Sequence, residues 1–150
     1  MPRPRRGVAR GPADPVRVLV DSGAWIALVS ADDTHHVRAD AAFRAVLAGG
    51  IRLVTTNLIV AEVHRLLLHR AGIRPAAAFL ERLDRGPRLT LAYPTAEHHA
   101  AARAWLARLA DQRITYTDAV SFAVMASSRC DAALSFDHDF VLAGFALWPA

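Results

Sequence analysis

The sequence predicts an α/β domain built on a mainly parallel central sheet of four to five strands flanked by helices. From Val16 onward, short β-branched or apolar runs alternate with longer helix-type stretches, the pattern of strands joined by helical crossovers. The residues between them are those that open and close helices: polar caps, a glycine pair and isolated prolines. The hydrophobic fraction of 53% over 150 residues suffices for one domain with a sizeable core.

Residues 1–15, "MPRPRRGVARGPADP", are rich in Pro, Gly and Arg and lack periodicity, and are expected to form a disordered basic tail. It reads either as a dispensable extension or as an arm that contacts RNA. The folded domain is expected over 16–150. "VRVLV" (16–20) is a strand that ends at Asp21, and "SGAWIALVS" (22–30) and "HHVRADAAFRAVLA" (35–48) are helices, the second closed by Gly49 and Gly50. "IRLVTT" (51–56) is the second strand. "NLIVAEVHRLLLHR" (57–70) follows as a helix with Asn57 as its N-cap and Gly72 just past its end. Pro75 opens the next helix, which Gly86 and Pro87 stop. "RLTLAY" (88–93) is a strand and "TAEHHAAARAWLARLA" (95–110) a long helix. "TDAVSFAVMASS" (117–128) is a helix with Thr117 as N-cap, "DAALSF" (131–136) the fourth strand and "FALW" (145–148) a fifth.

The pI of about 10.5 suggests a nucleic-acid partner, but all 18 basic residues are Arg, which inflates it. The tail holds four Arg against one acid, and residues 16–150 hold 14 Arg against 13 acids. The folded part is therefore nearly neutral. No apolar run approaches the roughly 20 residues that span a bilayer, and the single cysteine, Cys130, fits a reducing cytoplasm.

Parallel α/β sheets place their sites beyond the carboxyl ends of the strands. Four acids fall near such ends: Asp21, Glu62, Asp118 and Asp137, separated by 41, 56 and 19 positions, so that only folding could gather them. Asp21 interrupts "VLVDSGAWIALV", and Glu62 shares a helix face with Leu58 and Leu66 at i−4 and i+4. Burying an ionised carboxylate without a partner costs several kcal/mol or more. Spacing alone leaves two readings open: solvated turns and helix caps, or a pocket of acids around a divalent cation. Oxygen-only ligands select Mg²⁺ or Mn²⁺, and the chemistry that suits them is phosphodiester hydrolysis.

Four stretches together resemble the PIN-domain nucleases, and among them the VapC-like toxins of toxin–antitoxin pairs: "VLVDSGAW", "TTNLIVAEVHRLLLHR", "YTDAVSFAVM" and "SFDHDF" with "AGF". They occur in the family's order and cover about residues 16–150. The resemblance implies a PIN-like three-layer sandwich and a metal-dependent endoribonuclease using Mg²⁺ or Mn²⁺. It further implies an RNA substrate, a cognate antitoxin, and a homodimer or toxin–antitoxin hetero-oligomer. Asp21, Glu62, Asp118 and Asp137 match the acidic quartet, with Asp21 and Asp118 holding the ion and Glu62 and Asp137 orienting or deprotonating the attacking water. Ser22, Thr117 and Ser135 match small polar residues flanking it. Asp139 matches a position that is often basic or His; it either adds a fifth, peripheral acid that supports the site or sits on the outer face of the loop, and the second is expected.

Rival readings are a catalytically silent PIN-like binding module and a phosphoacceptor domain. The second typically needs a Lys, and the chain has none. G-x-G-x-x-G and G-x-x-x-x-G-K-[ST] are absent as well. The adjacent pairs His35-His36 and His98-His99 diverge around a helix and do not form a zinc pattern, and His138 is expected in a solvated loop. Trp25, Phe43, Phe79, Trp105 and Phe122 are expected in core packing. Arg65, Arg70, Arg74, Arg82 and Arg85 form either a solvated face or an RNA-phosphate contact, and an apolar strip on the same helices could receive an antitoxin segment.

Overall fold

The computed structural model describes residues 14–86 and 88–149, so the expected tail lies outside the described residues except for its last two positions. Five strands form one parallel sheet in the order β3-β2-β1-β4-β5: β1 (Arg17–Val20), β2 (Arg52–Thr56), β3 (Leu89–Ala92), β4 (Ala132–Leu134) and β5 (Ala146–Leu147). Val18, Leu19 and Val20 are fully buried although their side chains alternate between faces. A parallel sheet covered on both sides requires such a continuous apolar strand.

The helices are α1 (Ser22–Val29), α2 (His36–Gly49), α3 (Asn57–Ala71), α4 (Ile73–Asp84), α5 (Ala96–Arg108), α6 (Tyr116–Ser128) and a short α7 (Asp139–Leu142). Right-handed crossovers put α1–α4 on one face, because β1, β2 and β3 step one way across the sheet. The return to β4 and β5 puts α5–α7 on the other. Two aromatic clusters follow this division. Trp25 of α1 packs on Phe43 of α2 and Phe79 of α4, with ring centroids 5.2 and 5.7 Å apart. On the far side Phe122 of α6 meets Trp105, Phe140 and Phe145 at 5.2–5.8 Å.

Several expected boundaries shift by a residue or two. Thr56, not Asn57, caps α3: its side chain accepts from the Ile59 N–H at 3.1 Å, and Asn57 is already helical. Thr115, not Thr117, caps α6, accepting from the Asp118 N–H at 3.1 Å. Thr-x-x-Asp places the acid at the third helical position, where its backbone N–H reaches the cap. Helix α4 begins at Ile73, two residues before Pro75, which still falls in the first turn where a missing N–H costs nothing. The helix α7, expected as loop, is too short for periodicity to reveal.

Candidate metal centre

The chain walks outward from β1 to β3 and then returns to the other side of β1, so the sheet's switch point lies between β1 and β4. Beyond the carboxyl ends of strands at such a point the flanking helices diverge and leave a crevice. Here it is a cavity of about 510 Å³ whose lining includes Asp21, Asp33, Glu62, Asp118 and Asp137.

Asp21 leaves β1 and caps α1, accepting from the Ser22 N–H at 2.8 Å, while its own N–H bonds to the Leu134 carbonyl at 3.1 Å. Ser135, the first residue after β4, donates its hydroxyl to Asp21 Oδ2 at 2.9 Å. That hydroxyl oxygen in turn accepts from the Asp137 N–H at 3.0 Å, and Asp137 Oδ1 accepts from the Asp139 N–H at 3.1 Å. A chain of hydrogen bonds thus fixes the loop after β4 to the acid after β1. Asp118 enters from the opposite helical layer at the start of α6. Carboxylate oxygens of Asp118, Asp137 and Asp139 all lie within 4.8 Å of one another.

Asp139 therefore does not sit on the outer face, as expected, but joins the cluster. The cause is packing. The next residue, Phe140, is fully buried and stands edge-on to Phe122 at 87°, one turn past Asp118 on α6. That aromatic contact sets Asp139 in register with Asp118.

Glu62 is half-buried in the cavity wall with Leu66, while the fully buried stripe of α3 is Ile59, Val63 and Leu67. Ser22 lines the cavity. Thr117 is not among its lining residues; its carbonyl accepts from the Ser121 hydroxyl at 3.0 Å. Thr115, Asp33, His35 and Phe136 also line it, and sequence reasoning does not assign them to the site. The Thr-x-x-Asp spacing signals Thr115; the others occupy loops and carry no sequence pattern. His138 lines the cavity too, and His35 stacks on Phe136 with centroids 4.4 Å apart.

Asp21 is 5% exposed and Asp118 7%. Burial raises the Asp21 carboxyl from its ordinary 3.8 to about 6, against the pull of hydrogen bonds from Ser22 and Ser135, with repulsion from Asp137 and Glu62 adding to it. Burial raises Asp118 to about 7, reinforced by the charges of Asp21, Asp137 and Asp139 and opposed by a hydrogen bond from Thr115. Asp139 is also raised, by burial and then by Asp137. No ion pair with Arg relieves these acids among the described residues. The donor set is all oxygen, anionic, crowded and partly dry, and it fits a hard divalent cation.

The PIN-domain family model matches residues 18–146. The chain belongs to the PIN-domain family. It is 35% identical to the 23S rRNA-specific endonuclease VapC20 of Mycobacterium tuberculosis over 129 residues, 85% of this chain and 95% of that one. The crystal structure of M. tuberculosis VapC20, a sarcin–ricin-loop-cleaving toxin, superposes with a TM-score of 0.76 at 31% identity, covering 86% of this chain and 96% of the other. This PIN domain thus shares its fold and about a third of its aligned residues with a 23S rRNA-specific endonuclease. None of its described helices is long and apolar enough to cross a membrane.

Proposed function

We propose that this PIN domain hydrolyses RNA phosphodiester bonds with Mg²⁺ or Mn²⁺ held by Asp21, Asp118 and Asp137, with Glu62 and Asp139 completing the acidic set. The observation that carries this reading is the convergence of the Asp118, Asp137 and Asp139 carboxylates within 4.8 Å, next to a buried Asp21 whose pKa, like that of Asp118, is raised. Left alone, such a group repels itself and repels a polyanion. When bound, a divalent ion lowers the pKa of a water and offsets charge building on the phosphate oxygens.

The chain's own residues supply the rest. Ser135 and Ser22 hold Asp21 in one orientation, as partners of metal-binding carboxylates do. Asp118 gives up its proton when the ion binds, so loading is coupled to proton release. Glu62, half-buried in the wall, orients or deprotonates the attacking water. His138 lines the same cavity and is exposed, so that it can meet an entering RNA strand.

Ribosomal RNA is the substrate we propose, supported by alignment with almost the whole length of a 23S rRNA-specific endonuclease. We place the enzyme in the cytoplasm, paired with a cognate antitoxin, and as a homodimer or toxin–antitoxin hetero-oligomer. The test is cleavage of ribosomal RNA by the purified chain with and without a chelator. Activity should vanish on chelation and return with Mn²⁺ or Mg²⁺. Undiminished cleavage in excess chelator would refute the metal centre, and loss of RNA cleavage with retained RNA binding in the metal-replete chain would favour a silent binding module.

A further inference from the structure

The acidic cavity contains a group that the ion chemistry does not use. Among the described residues, the one guanidinium lining it belongs to Arg70, in the last turn of α3. Helix α3 turns Glu62, Leu66 and Arg70 toward the cavity at i, i+4 and i+8. At 1.5 Å per residue Arg70 stands about 12 Å along the helix from Glu62, and it forms no ion pair with the carboxylates of the metal centre among the described residues. It also lines an adjoining cavity of about 200 Å³ with Ile26, Ser30, Asp32, Asp33 and Leu66, so it sits where the two spaces meet. Arg82, on α4, and Arg85, its C-cap, line two other grooves instead.

The side chain is not engaged elsewhere among the described residues. The ion pairs found there join Arg44 to Asp40 and Arg85 to Glu81. Asp33 lines both cavities with Arg70; its carboxylate accepts from the His35 N–H at 2.8 Å and forms no ion pair among the described residues. A guanidinium fork matches phosphate oxygens in a bidentate way. A strand entering this cavity passes the carboxylates of Asp21, Asp33, Glu62, Asp118 and Asp137, and Arg70 is the guanidinium on its path.

We infer that Arg70 is a phosphate subsite that grips a phosphodiester flanking the one to be cut. The inference rests on reading the cavity as the RNA-cleaving centre. It assigns Arg70 to holding the strand, uniformly across sequences, and not to choosing bases.

The test uses the full chain carrying Asp118→Asn, so that RNA is bound but not consumed. Its affinity for a fluorescent single-stranded RNA oligomer of mixed sequence is measured in Mg²⁺ across a salt series. Arg70→Ala should weaken binding about five- to tenfold at low salt and reduce the slope of log K against log salt by about 0.7, the share of one phosphate on a single strand. The loss should be equal for a second oligomer of different sequence, and Tm should not move. Arg70→Lys should keep the slope at reduced affinity, since it retains the charge but not the fork. Unchanged slope and affinity in Arg70→Ala would overturn the proposal. So would a fall in Tm that Asp33→Asn reproduces, which would make Arg70 a structural partner of Asp33. Failure of the underlying reading shows separately, as RNA cleavage that survives Asp21→Ala in an otherwise unaltered chain.

Discussion

An ionised carboxylate as buried as Asp118, with Asp21, Asp137 and Asp139 around it, destabilises the fold that holds it. Asn at this position keeps the shape and removes the charge. Asp118→Asn should therefore cut RNA cleavage by at least about 10²-fold, the cost of losing one element of a preorganised electrostatic site. The same substitution should stabilise the metal-free protein. Above its raised pKa of about 7 the wild-type carboxyl is charged in the folded state, where it is disfavoured relative to the unfolded chain. A tenfold change in proton affinity corresponds to about 1.4 kcal/mol. About three such steps, from 3.8 to about 7, give a gain of about 4 kcal/mol at pH 8 that disappears near pH 4, read from chelator-treated melts. Ser135 tests the connection between the two strand ends. Its hydroxyl donates to Asp21 and accepts from Asp137, so Ser135→Ala should lower metal affinity about 10- to 100-fold, as loss of a partner of metal ligands commonly does. Calorimetric titration of the purified variant with Mn²⁺ measures it.

At the scale of elements, α7 is the piece on which the cluster turns. Its four residues place Asp139 beside Asp137 and drive Phe140 into the aromatic cluster under α6. Phe140→Leu keeps an apolar plug of lesser volume and should cost about 1–1.5 kcal/mol, while Phe140→Ala should cost about 3–5. The informative readout is Mn²⁺ affinity in Phe140→Leu. It should fall although no ligand has changed, because Asp139 loses its register with Asp118. This one-turn helix was the element least legible in the sequence. The strands and longer helices declared themselves through β-branched runs and caps; Asp21 and Glu62 stood out as acids set in apolar text, and Asp118 and Asp137 as acids near strand ends that the family resemblance gathered with them. Asp139 could not be placed that way. Its direction depends on the edge-on contact between Phe140 and Phe122, 18 positions apart in the chain. Thr115, passed over in favour of Thr117, could have been found through its spacing to Asp118, whereas His35 and Phe136 meet only in three dimensions, as a stacked pair.

Across the whole molecule these acids couple stability, pH and metal. In the unfolded chain Asp21 and Asp118 titrate near 3.8; in the folded, metal-free protein they titrate near 6 and 7. Between those values the native state binds more protons than the unfolded one, so the stability slope with pH is negative. The contribution of both groups is fully present below about pH 4 and is lost as pH rises through 6 and then 7. Most paired acids do the reverse, losing stability as pH falls. Metal should invert the dependence at the upper end. Its ligands must be deprotonated, so binding strengthens as pH rises through the same interval, and a ligand at about 100 times its Kd adds about 2.7 kcal/mol to the folded state. Two melting series, one in chelator and one in millimolar Mn²⁺, should therefore diverge with pH: close together near pH 5 and separated by several degrees at pH 8, with the metal-loaded protein above. Parallel curves across that range would mean that the buried acids are balanced by the protein itself, and that the cavity at the switch point was not built around a cation.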